Sequence, residues 1–336
     1  MTKNKKYYLI GILVLAAAII GYHFLAASQA EQQIDEAIQE QSGKTNTISV
    51  QYSNLDVAPF AADITISDLN IILGNHIERA QQLKLDLGYL DFLNIYFGGA
   101  AYGLDHLDEA VITAVSSSYT NKVALQEIKS DSLTIRYQGN ALDGIQSAIK
   151  GTPFGADQSI EIQGRNLTFS VPRTSISKVI AQKLHYSGSV SKAKSNFWKE
   201  GSHTIRLDSL LWTPSESFQN KYSFFIKGFG YPTDAIPFRS AELHSNPVSQ
   251  ADDTLDIESA VKSELALLTG QGHIILKQPL QDSKFYNMKI TLSDFSERFA
   301  NVLSNIEQLL SISLPKSKEG ITIQLQGSVE NPEVTE

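Results

Sequence analysis

From Thr47 onward the apolar residues of this chain recur at every second position, and the phase of that alternation repeatedly slips by one residue. Ile48, Val50 and Tyr52 are followed by Leu55 and Val57. Ile64 and Ile66 are followed by Leu69, Ile71 and Leu73, and Ile205 and Leu207 by Leu210 and Trp212. Ile290 and Leu292 are followed by Phe295. A period of two is the signature of a strand, whose side chains alternate between faces. A one-residue slip moves the apolar set to the other face unless a bend or bulge absorbs it. The pattern therefore predicts long, bent strands whose apolar side follows a curved sheet. Other segments alternate without a slip: Leu83, Leu85, Leu87; Leu133, Ile135, Tyr137; Leu167, Phe169, Val171; and Ile321, Ile323, Leu325.

Helical spacing is rarer. It predicts helices over Leu142 to Lys150, Thr174 to Leu184 and Thr254 to Thr269, each packed on the sheet by one apolar stripe. A fourth begins at Asp294, with Glu297 three residues on as a capping box, and carries Phe295, Phe299, Val302, Leu303, Ile306 and Leu310. The stretch Gly88 to Gly99, with Leu90, Phe92 and Leu93, has little polar face. It reads either as a buried short helix or as a segment that enters a lipid surface. Residues 231–253 contain Pro232, Pro237 and Pro247 and mark a loop or an internal boundary.

The N-terminus is of another kind. Tyr7 to Ala27, which includes Leu13, Ile20 and Leu25, has no formal charge and is long enough as a helix to cross roughly 30 Å of hydrocarbon. Lys3, Lys5 and Lys6 precede it, and the first charges after it, Glu31, Asp35 and Glu36, are acidic. The positive-inside rule puts the N-terminus in the cytoplasm and the rest across the membrane. A cleaved signal peptide competes with this reading, since Ser28-Gln29-Ala30 has small residues, but the run exceeds the usual signal core. The expected organisation is a tip and anchor over residues 1–27, a juxtamembrane helix over 28–45 and a β-rich domain over 46–336. The fold class is α+β and β-rich: one transmembrane helix, then a long, bent, mostly antiparallel sheet with a few amphipathic helices.

A formal net charge of −8, with three of the lysines ahead of the anchor, repels nucleic-acid phosphates and anionic lipid headgroups alike and argues against nucleic-acid binding. There is no cysteine, hence no disulfide and no thiolate metal site. The seven histidines show no metal-ligand spacing, and no nucleophile elbow or phosphate loop is present. The one acidic cluster around a histidine, Asp105, His106, Asp108 and Glu109, reads as a solvated loop. Neither a cofactor nor catalysis is expected.

Three stretches carry a resemblance to the AsmA-like (AsmA/TamB-type) proteins of the Gram-negative envelope. They are the anchor followed by TISVQYSNLDVAPFAADITISDLNIIL, the strand–short-helix–strand unit from Ala80 to Ser116, and the closing ITIQLQGSVENPEV. The resemblance implies an inner-membrane protein with its bulk in the periplasm. It also implies a bent sheet whose apolar groove holds or conveys lipid acyl chains, with no catalytic residue. The candidate groove residues are Leu69, Ile71, Leu90, Phe92, Leu93, Ile135, Phe169 and Val171. The alternative is a non-enzymatic scaffold or assembly factor that binds other envelope proteins.

Overall fold

Sixteen strands join one antiparallel sheet in the computed structural model, and from the third strand to the thirteenth each pairs with its successor in sequence. The structure describes residues 32, 48–58, 63–88, 90, 91, 93, 94, 97, 102, 103, 105–172, 177–248, 254–277, 282–310, 316–317, 320–328 and 332–335. The expected anchor over 7–27, nearly all of the juxtamembrane segment, and Phe92 lie outside these residues.

The strands are β1 (Ile48–Gln51), β2 (Asn54–Val57), β3 (Asp63–Leu73), β4 (His76–Leu87), β5 (Glu109–Asn121), β6 (Gln126–Gln138), β7 (Gln158–Val171) and β8 (Ser177–Val190). They continue as β9 (Ser202–Thr213), β10 (Ile236–Pro247), β11 (Thr254–Lys262), β12 (Leu267–Ile275), β13 (Lys284–Ser293), β14 (Lys316–Ser317), β15 (Gly320–Ser328) and β16 (Pro332–Thr335). Helices α1 (Ala141–Lys150), α2 (Phe197–Glu200), α3 (Glu216–Gly228) and α4 (Glu297–Leu310) interrupt them, and the described residues between β4 and β5 are also largely helical. β1 and β2 both pair with β3 and form the first edge, while β14 and β16 cover the two ends of β15 at the last.

The register sorts side chains by face. Directly paired residues share a face, and one such row crosses the sheet from β3 to β15. It runs Ile66, Leu83, Ala114, Leu133, Gly164, Leu184, Leu207, Ala241, Val261, Leu268, Leu292, Ile321. Every member is apolar or glycine. The neighbouring row on the opposite face begins Thr65, Lys84, Thr113, Thr134, Gln163, His185, Arg206, Glu242. One face is thus built from aliphatic side chains and the other largely from polar ones.

The phase slips have a common cause. Asp68 of β3, Ser116 of β5, Asn166 of β7 and Ser209 of β9 all have left-handed backbone, with φ between 50° and 54°. The ladders skip Gln81, Asp131 and Gln182 on the strands between them, yet the register on either side is unchanged, as in Ser67 with Gln82 and Leu69 with Ala80. These residues form a transverse line, a crease. At the first edge it falls at Ser53, which separates β1 from β2 and donates its hydroxyl to Asp68 at 2.8 Å. Asp294, with φ of 52°, repeats the conformation just beyond β13. A left-handed residue occupies one place in the alternation, so the residue after it returns to the face it would otherwise leave. Ile66 and Leu69 therefore point to one side, as do Leu207 and Leu210. The residues used are Asp, Asn and Ser, the first two being the side chains that best tolerate this conformation.

Two expected helices are strands. Thr174 to Leu184 falls largely in β8, where the apolar face reads Val179, Ala181, then Leu184 and Tyr186 across the crease, and that slip imitates helical spacing. Thr254 to Thr269 covers β11, a turn and the start of β12. The helix at Leu142–Lys150 is present as α1, ended by left-handed Gly151. The helix expected from Asp294 starts at Glu297, and Ser296 caps it by accepting the amide of Phe299 at 3.2 Å. α3 was not anticipated. The Pro-containing stretch 231–253 holds β10, which is paired on both sides.

If the crease sets the backbone at Ser209, then Ser209→Gly should leave stability unchanged or raise it. Ser209→Val, a β-branched residue in left-handed backbone, should cost about 1–2 kcal/mol. Urea denaturation of both variants measures the difference.

Candidate functional site

The apolar face is open over the first half of the sheet. Leu83, Ile112, Leu133, Ile135, Ile162 and Leu184 on one side of the crease, and Leu69, Ile71, Ala80 and Leu167 on the other, line a cavity of about 500 Å³. That lies within the range of ligand-binding clefts, roughly 300–1,000 Å³. Glu78, Arg79, Tyr119 and Lys129 supply its polar margin. Most of the aliphatic side chains here are only half-buried. A sheet with one apolar face ordinarily buries it under a second layer. Among the described residues three small clusters of buried apolar side chains form, none of them over this floor, where Leu69, Ala80 and Ala114 are buried by their strand neighbours alone.

Each end of the face is closed differently. At the end where β4 leaves the sheet, Val57, Ile64, Leu87, Leu107, Ala110 and Ala141 pack together, with Leu93 and Tyr137 against them. Asn140 joins the pieces: its side-chain oxygen caps α1 at Asp143, and its amide donates to the carbonyl of Asp105. Tyr137 donates to the Asn140 carbonyl at 2.8 Å, and burial, with the charges of Asp143 and Asp108 adding to it, pushes its hydroxyl up to about 12. At the opposite end, over β9 to β13, α3 and α4 cover the face. They leave a second, aromatic cavity of about 350 Å³, lined by Trp212, Phe218, Tyr222, Phe229, Phe238 and Phe299 among others.

The candidate residues from sequence divide accordingly. Leu69, Ile71 and Ile135 line the large cavity. Phe169 pairs with Ile128 and Val179, in the row that includes Ile71, and Val171 is buried at the end of β7. Leu93 packs into the end cluster, away from the cavity. Leu90 is 74% exposed and Phe97 69%, so this segment presents apolar surface to its surroundings rather than burying all of it. Phe92 and the anchor residues Tyr7, Leu13, Ile20 and Leu25 lie outside the described residues. Sequence reasoning passed over Ile112, Ile162 and Leu184 as floor residues, and the aromatics of α3 entirely.

The polar groups show structural rather than chemical organisation. His203 bonds the Phe197 carbonyl through Nε2 at 3.0 Å and Tyr186 through Nδ1 at 3.0 Å, and Trp198 stacks on its ring. With Nε2 donating, Nδ1 accepts the Tyr186 hydroxyl, so the ring is held neutral. Burial lowers its pKa, only partly offset by bonds to the Phe197 and Trp198 backbone, and burial pushes Tyr186 up to about 12. His106 stacks on Tyr102 and bonds its carbonyl at 2.9 Å. Among the described residues no three His, Asp or Glu side chains gather to hold a metal ion. Nor, among them, is any helix long and apolar enough to cross a membrane. No protein-family model, curated protein or solved structure matches this chain.

A histidine held below its unfolded pKa stabilises the fold fully above about pH 6.5, and that stability falls as pH drops toward the folded value. His203→Gln should therefore flatten the loss of thermal stability between pH 7 and pH 5. An unchanged slope in the variant would show that His203 does not titrate with unfolding.

Proposed function

We propose that this chain is a single-pass envelope protein, anchored in the inner membrane, that binds or conveys lipid acyl chains along the apolar face of its sheet. The observation that carries this reading is the uncovered aliphatic floor of β3 to β8, continuous across the crease and backed by a polar face. Half-buried Leu and Ile side chains forgo part of the roughly 1.5–3 kcal/mol that full burial of each gives, and an acyl chain laid on them recovers it. The requirement is length and apolarity rather than directed hydrogen bonds. The polar groups of the lining, Glu78, Arg79, Tyr119, Lys129 and three serines, all lie on the Leu69 side of the crease and leave the other side aliphatic, which suits an acyl chain there.

The anchor over 7–27, with its flanking charges, supports an N-terminus in the cytoplasm and a periplasmic domain. The AsmA-like resemblance points to the same setting, in outer-membrane biogenesis. At ~4.8 Å per strand, the stacked sheet extends on the order of 60 Å, which suits a short carrier better than a bridge between two membranes. No catalytic role is assigned. A scaffold that binds other envelope proteins is the second reading, favoured by the exposed Leu90, Phe97 and Trp198 at one end of the sheet.

The test is lipid retention by the full chain purified from Gram-negative membranes, read by native mass spectrometry. Ile135→Asp, on the floor, should abolish a bound-phospholipid peak, whereas Thr134→Asp, on the polar face, should leave it intact. Equal lipid occupancy in both variants would remove the floor from consideration and leave the scaffold reading.

A further inference from the structure

We infer that the α3 end of the sheet rests on the surface of the membrane from which the chain emerges, with α3 lying in the headgroup region of anionic phospholipid. The inference builds on the proposed anchor and deepens that reading by giving the apolar face an orientation.

Register fixes which features share this end. Ile48, where the sheet begins, pairs with Leu73 beside the Gly74 turn, and His76 pairs with Asn121. Lys178 pairs with Thr213, after which α3 follows. The first strand, the turn from Lys122 to Leu125 and α3 therefore all lie at one end. Residues 28–47 link this end to the apolar run, and the helix expected over 28–45 would span only about 27 Å, which keeps this end near the membrane. The opposite end bears Leu90, Trp198 and α1.

α3 has the chemistry of an interfacial helix. Its inner side sends Phe218, Tyr222 and Ile226 into the aromatic cavity. Its outer stripe runs Asn220, Lys221, Phe224, Lys227, all exposed, with Phe224 at 72%. An exposed phenylalanine with a lysine one turn to either side is costly in water and suited to a lipid surface. The ring enters the acyl boundary while the ammonium groups reach the phosphates. Lys221 and Lys227, set against the exposed Glu216 of the first turn, leave this helix net positive on a chain whose net charge is −8, which favours anionic lipid. The Lys122–Leu125 turn repeats the pairing, with Val123 68% exposed beside exposed Lys122. Because Phe225 is both 40% exposed and part of the cavity lining, a chain entering beneath α3 meets Trp212 and Phe238 directly.

The absence of cysteine makes the test direct. The full chain carrying Asn220→Cys, labelled with an environment-sensitive dye, is reconstituted into nanodiscs of phosphatidylcholine with or without phosphatidylglycerol. Leu90→Cys serves as the reference at the far end. The expected result is a blue shift at position 220 that appears with phosphatidylglycerol, is lost with Phe224→Asp or with Lys221→Glu and Lys227→Glu together, and is absent at position 90. Ile135→Asp should leave it intact, which separates docking from lipid binding on the sheet floor. An aqueous spectrum at 220 in both discs, or a larger shift at position 90, overturns the inference. A shift of equal size without phosphatidylglycerol overturns its electrostatic part, and one that needs an added envelope protein assigns the surface to a protein partner.

Discussion

A strand must send successive side chains to opposite faces, and this fold depends on how that rule is suspended along one line. Asp68, Ser116, Asn166 and Ser209 each take left-handed backbone at the same transverse position of the sheet. One such residue on one strand would be a local defect. Aligned across hairpins, with the ladders in register on both sides, they crease the sheet from β3 to β10 and keep its apolar set there on a single side. The cost is real, since left-handed backbone disfavours any residue with a Cβ by roughly 1–2 kcal/mol. What it sustains is an apolar set that stays on one side although its phase along the strand shifts by one residue.

The lack of a second layer over that surface follows from the connections. Most are hairpins at the strand ends, and the helices sit where those connections are longest. α1 closes one end and α3 with α4 cover the other half, while the floor of β3 to β8 stays open. Stability in such an array comes from neighbouring strands, much as in repeat proteins whose units contact only their neighbours. The proposed carriage of apolar chains would call for this: a surface that is held by its own ladders.

Much of this was legible in the sequence. The slips at Ile66 to Leu69 and at Leu207 to Leu210 mark the crease directly, and the alternating positions identify both faces. The same slip misled where the neighbouring strand gave no reference. In β8 the spacing from Val179 to Leu184 passes for a helical turn because the crease inserts one residue between two strand halves. Thr254 to Thr269 failed for a different reason, since two short strands around a turn carry apolar residues at near-helical intervals. The missed helix α3 had its own signal. Phe218, Tyr222, Phe225 and Phe229 recur at intervals of four and three behind Ser215, whose side chain caps the helix at Phe218. The floor as a cavity could not be read from sequence, because which half of an apolar face lacks a cover depends on where connections fold back.

The most direct measurement of the central claim is site-specific photo-crosslinking in cells, with a benzophenone amino acid at position 112 on the apolar face and at position 113 on the polar one. These neighbours share a strand, a depth and a local stability, and differ only in the face they present. Lipid adducts are expected from position 112 and none from position 113. Equal lipid labelling from both, or adducts to protein alone from position 112, would contradict it.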